Sequence, residues 1–141
     1  MHKFDNSWLF KREKIDNLSK NKLIIQKINK SLKNLDEINL IDLGTGTGSN
    51  FRYLSKKIKY NNQSWTLMDI SKSSLDVLKK NYSSSITESI RFRECNMELL
   101  PFDNEIFDIV ACAGGLSYGD NKLVLNEIYR VFWRPMFWKK L

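Results

Sequence analysis

The stretch "NLIDLGTGTGSN", residues 39 to 50, constrains what this chain can fold into more than any other. An apolar run ends at Leu43, and three glycines then stand on alternate positions, Gly44, Gly46 and Gly48, before helical spacing begins. Glycine takes positive φ at little steric cost and lets backbone approach another group closely, so this loop is built to turn tightly or to cradle a ligand. A strand passing through such a loop into a helix is the first unit of an α/β fold.

The rest of the chain repeats that alternation. "EINLIDL" (Glu37 to Leu43) reads as the first strand, and "SNFRYLSKKI" (Ser49 to Ile58) as a helix with Phe51, Tyr53, Leu54 and Ile58 at helical spacing, stopped by Asn61 and Asn62. "SWTLMDI" (Ser64 to Ile70) is a second strand, and Ser71 or Ser73 supplies the cap of a helix over "SSLDVLKKNY". "SIRFREC" (Ser89 to Cys95) and "EIFDIVACAG" (Glu105 to Gly114) are a third and a fourth strand, and "DNKLVLNEIYRVF" (Asp120 to Phe132) is a last amphipathic helix. This order implies parallel strands, right-handed crossovers and helices on both faces of the sheet. Ligands of open α/β sheets bind at the carboxyl ends of the strands, where the glycine loop lies.

At 141 residues, with no Pro/Gly/Ser-rich boundary, the expectation is one domain over 1–141. N-terminal helices are expected over about residues 5–35, because Ile24, Ile25, Ile28, Leu32 and Leu35 recur at helical spacing. The formal charge of +7 leans toward that region, but its lysines form the polar back of an amphipathic helix, so no specific nucleic-acid partner is expected. The longest apolar run, "IVACAGGL", is too short to span a bilayer, and "MHKFDNSWLFKREK" has no signal-peptide core, which points to the cytoplasm. Cys95 and Cys112 have no metal or disulfide spacing, His2 is the only histidine, and no structural metal is expected.

The loop separates three chemistries. A phosphate-binding P-loop needs GxxxxGK[ST], but Ser49 stands five residues after Gly44 and no lysine follows. A dinucleotide fingerprint needs GxGxxG, and its third glycine would fall at Ser49. The actual pattern, "IDLGTGTG", resembles motif I of the class I S-adenosylmethionine-dependent methyltransferases, type 11-like. Three further stretches resemble that family in the right order: "WTLMDIS", "CNMELLPFDNEIFDIVAC" and "VLNEIYRVFWRP", covering roughly residues 38 to 135.

The resemblance implies a Rossmann-like parallel sheet of order 3-2-1-4 and S-adenosyl-L-methionine as cofactor. It implies that the loop residues Asp42, Gly44, Thr45, Gly46 and Gly48 cradle the methionine tail and ribose, and that Asp69, followed by Ile70, bonds the ribose hydroxyls. It also implies that Asn96, where the family usually has Asp, faces the adenine amino group, and that Met97 contacts the adenine ring. A carboxylate accepts from two vicinal hydroxyls at once, which is the reason for an acid at Asp69. Asn at position 96 keeps an acceptor oxygen and loses the charge. Each residue also has a structural reading: the glycines as a tight turn, Asp69 as a cap of the next helix, Asn96 as a local turn former. No general base is legible, and Ala113 to Tyr118, "AGGLSY", which the resemblance puts beside the transferred methyl group, name no acceptor. Trp8 and Arg12 are either residues that reach over the site or members of an exposed helix face.

The family's helix ends in RVLxPGG and leads to further strands, whereas this chain reads "RPMFWKKL" and stops. The expectation is a domain cut short after its fourth strand, by natural truncation, an altered reading frame or an artificial end. Its exposed fourth strand then invites self-association. The leading function is methylation of a small-molecule acceptor with little turnover by the shortened chain. The alternatives are a non-catalytic remnant that binds cofactor or partner and, third, an NAD-dependent oxidoreductase.

Overall fold

The computed structural model describes residues 19–31, 36–59, 62–82, 89–112 and 120–132. Their elements run α1 (Ser19–Ser31), β1 (Ile38–Leu43), α2 (Ser49–Lys57), β2 (Gln63–Asp69), α3 (Lys72–Asn81), β3 (Ile90–Glu94), β4 (Ile109–Cys112) and α4 (Asn121–Val131). All strand pairs are parallel, and the sheet order is β3-β2-β1-β4. The doubly wound α/β architecture read from the alternation is therefore the observed one.

Period-two alternation in β1 and β2 divides the core between the faces of the sheet. Ile38 and Leu40 of β1 join Trp65 and Leu67 of β2 on one face, beneath Phe51, Leu54 and Ile58 from the α2 region and Leu75 and Leu78 of α3. Ile25 and Ile28 of α1 pack against the same cluster. Ile41, Leu43 and Met68 point the other way, against Val124, Ile128 and Val131 of α4 and the loop residues Leu100 and Phe107. Full burial of each such aliphatic side chain contributes roughly 1.5–3 kcal/mol, so a one-residue slip of β1 would exchange two complete core layers. Phe51 adds edge-to-face contacts with Trp65, at 5.1 Å between centroids, and with Tyr82, at 5.6 Å.

Caps set the helix ends. Ser71, not Ser73, caps α3: it has extended backbone and its Oγ accepts from Ser74 N–H at 3.3 Å. Asp120 caps α4 by accepting from Lys122 N–H and Leu123 N–H. The helix after β1 stops at Lys57, where Ile58 turns extended and donates its N–H to Leu54 O, before the asparagines are reached.

The fourth strand is shorter than its apolar run. Residues 105 to 107 do not join the sheet: Glu105 sits at φ 56°, and the N–H groups of Glu105, Ile106 and Phe107 bond to Arg130 O and Val131 O at the end of α4. The left-handed turn at Glu105 diverts this segment, and pairing with β1 resumes when Asp108 N–H reaches Asn39 O at 2.8 Å. Gly114, at the end of the expected strand, lies outside the described residues, as do residues 5–18 and 32–35 of the expected N-terminal helices, the "AGGLSY" segment and the residues from Trp133 onward. Among the described residues no helix is long and apolar enough to cross a membrane.

Candidate functional site

The three glycines meet the sheet at the carboxyl end of β1, the middle strand between β2 and β4. All have positive φ: 66° at Gly44, 55° at Gly46 and 87° at Gly48. Two of them need glycine for different reasons. A Cβ on Gly48 would run into Leu78 Cδ1 of α3, so Gly48 allows α2 and α3 to approach. A Cβ on Gly46 would meet nothing within 4 Å, so there the backbone faces open space. Thr45, between Gly44 and Gly46, ties the loop to β2 by donating its N–H to Met68 O at 2.9 Å, and its carbonyl accepts from Gly48 N–H at 2.9 Å.

Asp42 braces the loop from beneath. Its side chain is 1% exposed, and Oδ1 accepts from Asn50 Nδ2 at 3.0 Å, joining the last turn of β1 to the first turn of α2. The structure therefore places Asp42 as a buried support of the loop, where the resemblance has it among the cofactor contacts. Asn50, which sequence reasoning missed, completes this brace; its only signal was a polar residue eight positions after a buried carboxylate.

Asp69 ends β2 directly across from the loop. Its Oδ2 accepts from Gly46 N–H at 2.9 Å and its Oδ1 from Ser71 N–H at 2.8 Å. The Ser71 bond is a local turn and not a helix cap, since Ser71 itself caps α3, and the Gly46 bond fixes the carboxylate at the rim of the loop. Each carboxylate oxygen keeps a further lone pair to offer. Ile70 follows with 69% of its surface exposed, an apolar side chain beside the charge.

Asn96 opens the loop after β3, adjacent to β2, because Cys95 N–H donates to Asp69 O at 3.2 Å. Asn96 Oδ1 accepts from Glu98 N–H at 2.9 Å, and its carbonyl accepts from Leu99 N–H at 3.1 Å. This is the local turn weighed as its structural reading, and it leaves the exposed amide one oxygen lone pair and two N–H donors. Met97 is half-buried against the second core cluster. The Cys95 thiol is pushed up from its ordinary value by burial, which outweighs the opposing charge of Arg93.

Loop residues beyond Asn96 are held by a network that the sequence did not reveal. Arg130 of α4 bonds Glu127 with Nε to Oε1 at 2.8 Å and Nη2 to Oε2 at 2.8 Å. The same guanidinium donates to Phe102 O at 2.7 Å, Leu100 O at 3.0 Å and Asn104 Oδ1 at 3.0 Å, and Glu127 Oε2 accepts from Leu100 N–H at 2.7 Å. The Arg130 bond holds the Glu127 carboxyl below its usual value, and the Glu127 bond raises Arg130 in return. A Glu three residues before an Arg on a helix was the available signal, but it reads as an ordinary surface pair.

The site offers a loop with an open backbone face at Gly46, a fixed carboxylate, an exposed apolar side chain and an exposed amide, in that order along the carboxyl edge. Thr45 Oγ1 is buried without a hydrogen-bond partner among the described residues. An adenosyl group with vicinal ribose hydroxyls and a polar tail matches that donor and acceptor set. Among the described residues no group of three or more His, Cys, Asp or Glu side chains is placed to hold a metal ion.

Comparison with known proteins agrees with this chemistry. A methyltransferase-domain family matches residues 40–133. The chain is 35% identical over 102 residues to the ubiquinone/menaquinone biosynthesis C-methyltransferase of Rickettsia prowazekii, covering 70% of this chain and 41% of that protein. It is 34% identical over 123 residues to the protein of the same name in Rickettsia typhi, covering 84% of this chain and 47% of that one. The chain thus spans about half the length of these curated relatives. A crystal structure described as a putative S-adenosylmethionine-dependent methyltransferase of Methanococcus maripaludis shares the fold, with TM-score 0.62 and 19% identity over 94% of this chain and 61% of that one. With the family matched over more than half of its residues, this chain belongs to the class I S-adenosylmethionine-dependent methyltransferases.

Proposed function

We propose that this chain binds S-adenosylmethionine at the glycine loop and serves methyl transfer to a small-molecule acceptor. The observation that carries the proposal is the Asp69 carboxylate held at 2.9 Å on the Gly46 N–H, beside open space above Gly46. Gly44, Thr45, Gly46 and Gly48 would line the methionine side, Asp69 would accept from the ribose hydroxyls, and Ile70 and Met97 would flank the adenine. Asn96 would bond the adenine edge with its remaining amide groups. Asp42 would act through Asn50 by holding the loop in place. When bound, S-adenosylmethionine supplies an electrophilic methyl group on a sulfonium, so the protein's contribution is alignment for in-line displacement and exclusion of water.

The names of the Rickettsia relatives support an acceptor of quinone type in its reduced, hydroquinone form, whose electron-rich ring carbon would take the methyl group and release a proton. One domain over 1–141, a cytoplasmic location and self-association through the outer edge of β4 complete the reading. Among the described residues β4 pairs with β1, and self-association at a sheet edge proceeds by strand addition. Light scattering on the purified chain tests that last point. The central reading is tested by calorimetry with S-adenosylhomocysteine and with NAD. Saturable binding of S-adenosylhomocysteine is expected; binding of NAD alone would overturn the assignment.

A further inference from the structure

We infer that Glu98 is a positioning residue that couples the loop carrying Asn96 and Met97 to the N-terminus of α4. Two exposed residues, Asn96 and Leu99, flank the half-buried Met97–Glu98 pair, and the Glu98 side chain reaches across to the start of α4. Its Oε1 accepts from Asp120 N–H at 2.7 Å, a short charge-assisted bond across 22 residues. Its backbone is fixed at the same time, because Glu98 N–H donates to Asn96 Oδ1 at 2.9 Å. Asp120 in turn accepts with Oδ1 from Lys122 N–H at 2.9 Å and Leu123 N–H at 3.3 Å. The chain of bonds therefore runs from the Asn96 amide through Glu98 to Asp120 and the first turn of α4.

The placement of two carboxylates on one helix start has a physical basis. The opening turn of a helix leaves N–H groups without intrahelical acceptors and carries positive potential, so both negative charges are favoured there. Asp120 alone satisfies the cap of α4, and the core contacts of Val124, Ile128 and Val131 anchor that helix independently. The Glu98 bond is thus an addition to a helix that is already capped. What it supplies is a fixed distance between the adenine-side turn and residue 120, the position that immediately follows residues 113–119 in the chain. This inference rests on the cofactor reading above: a ligand that orders Asn96 would fix Glu98, and through it the N-cap of α4 at Asp120.

The test uses the full chain as wild type, Glu98→Ala and Glu98→Gln, with S-adenosylhomocysteine as the probe. Calorimetry gives affinity, and amide hydrogen exchange at Asp120 reports the coupling. In the wild type the ligand is expected to slow exchange at Asp120. In Glu98→Ala the dissociation constant should rise by about five-fold or more, in the usual range of coupled sites, and the ligand should no longer slow that exchange. Glu98→Gln keeps a carbonyl acceptor and should restore both behaviours in large part, which a general loss of stability would not allow. Wild-type affinity and a ligand-slowed Asp120 amide in Glu98→Ala, or no rescue by Gln, would overturn the inference while leaving the cofactor site intact. A wild-type chain that takes up no S-adenosylhomocysteine would overturn the cofactor reading and this coupling together.

Discussion

The carboxylate of Asp69 accepts the N–H of Gly46 at 2.9 Å, joining the end of β2 to the middle of the glycine loop that follows β1. A residue read as a ligand contact is thereby also a fastener of the loop that would hold the ligand. Asp69→Ala is expected to weaken S-adenosylhomocysteine binding by about 1.5–3 kcal/mol, the range for hydrogen bonds to a charged group. It should also lower the melting temperature slightly, because the Gly46 and Ser71 N–H groups lose their acceptor. Calorimetry and thermal unfolding on one preparation read both effects, and an unchanged dissociation constant removes Asp69 from the site.

Gly46 and Gly48 should respond in opposite ways to the same substitution. Gly48→Ala forces a Cβ against Leu78 at φ 87° and is expected to destabilise the fold by about 2–4 kcal/mol, as left-handed backbone strain adds to overpacking. Gly46→Ala carries the backbone strain alone, about 1–2 kcal/mol, but puts a methyl group into the open space over the loop. Its expected signature is a mild loss of stability with a large loss of ligand affinity. Chemical denaturation beside calorimetry separates the two; equal effects of both variants on stability would contradict the geometry.

Arg130→Ala should destabilise the chain by about 1–3 kcal/mol, since the carbonyls of Leu100 and Phe102 and the Glu127 carboxylate lose a shared donor. The pair also predicts a pH dependence with a definite sign. Glu127 titrates below its unfolded value of 4.5, chiefly through its bond to Arg130, so its contribution is present in full above about that pH. It is lost as the pH falls through the lower folded value. Denaturation midpoints measured from pH 6 downward should show a loss that is reduced in Glu127→Gln.

The two cysteines should remain reduced and slow to react. Strands β3 and β4 stand at opposite edges of the four-stranded sheet, about 14 Å apart by three strand spacings, beyond the span of a disulfide. Burial raises the Cys95 pKa, so its thiolate fraction at neutral pH is small. Mass spectrometry of the native chain is expected to find two free thiols, with Cys95 alkylated more slowly than in the unfolded chain. A Cys95–Cys112 bridge would contradict the strand order.

The sequence by itself determined the α/β class, the family and the place of the glycine loop at the end of β1. Apolar runs of period two and period 3.6 are local patterns, and a glycine loop between a strand and a helix carries its meaning within ten residues. Asp69 and Asn96 were legible for the same reason, each standing at the end of a strand that its own neighbours define. The tertiary structure alone decided what these groups bond to. Asp42 turned out to brace the loop through Asn50, Asn96 to spend its oxygen on the Glu98 N–H, and the start of the expected fourth strand to pair with the end of α4. Glu98, Glu127 and Arg130 looked like ordinary charged positions, because their partners at Asp120, Leu100 and Phe102 lie 22 to 30 residues away along the chain. Hydrogen bonds of that range depend on how two loops and a helix converge over the sheet, and no short window of sequence contains that distance.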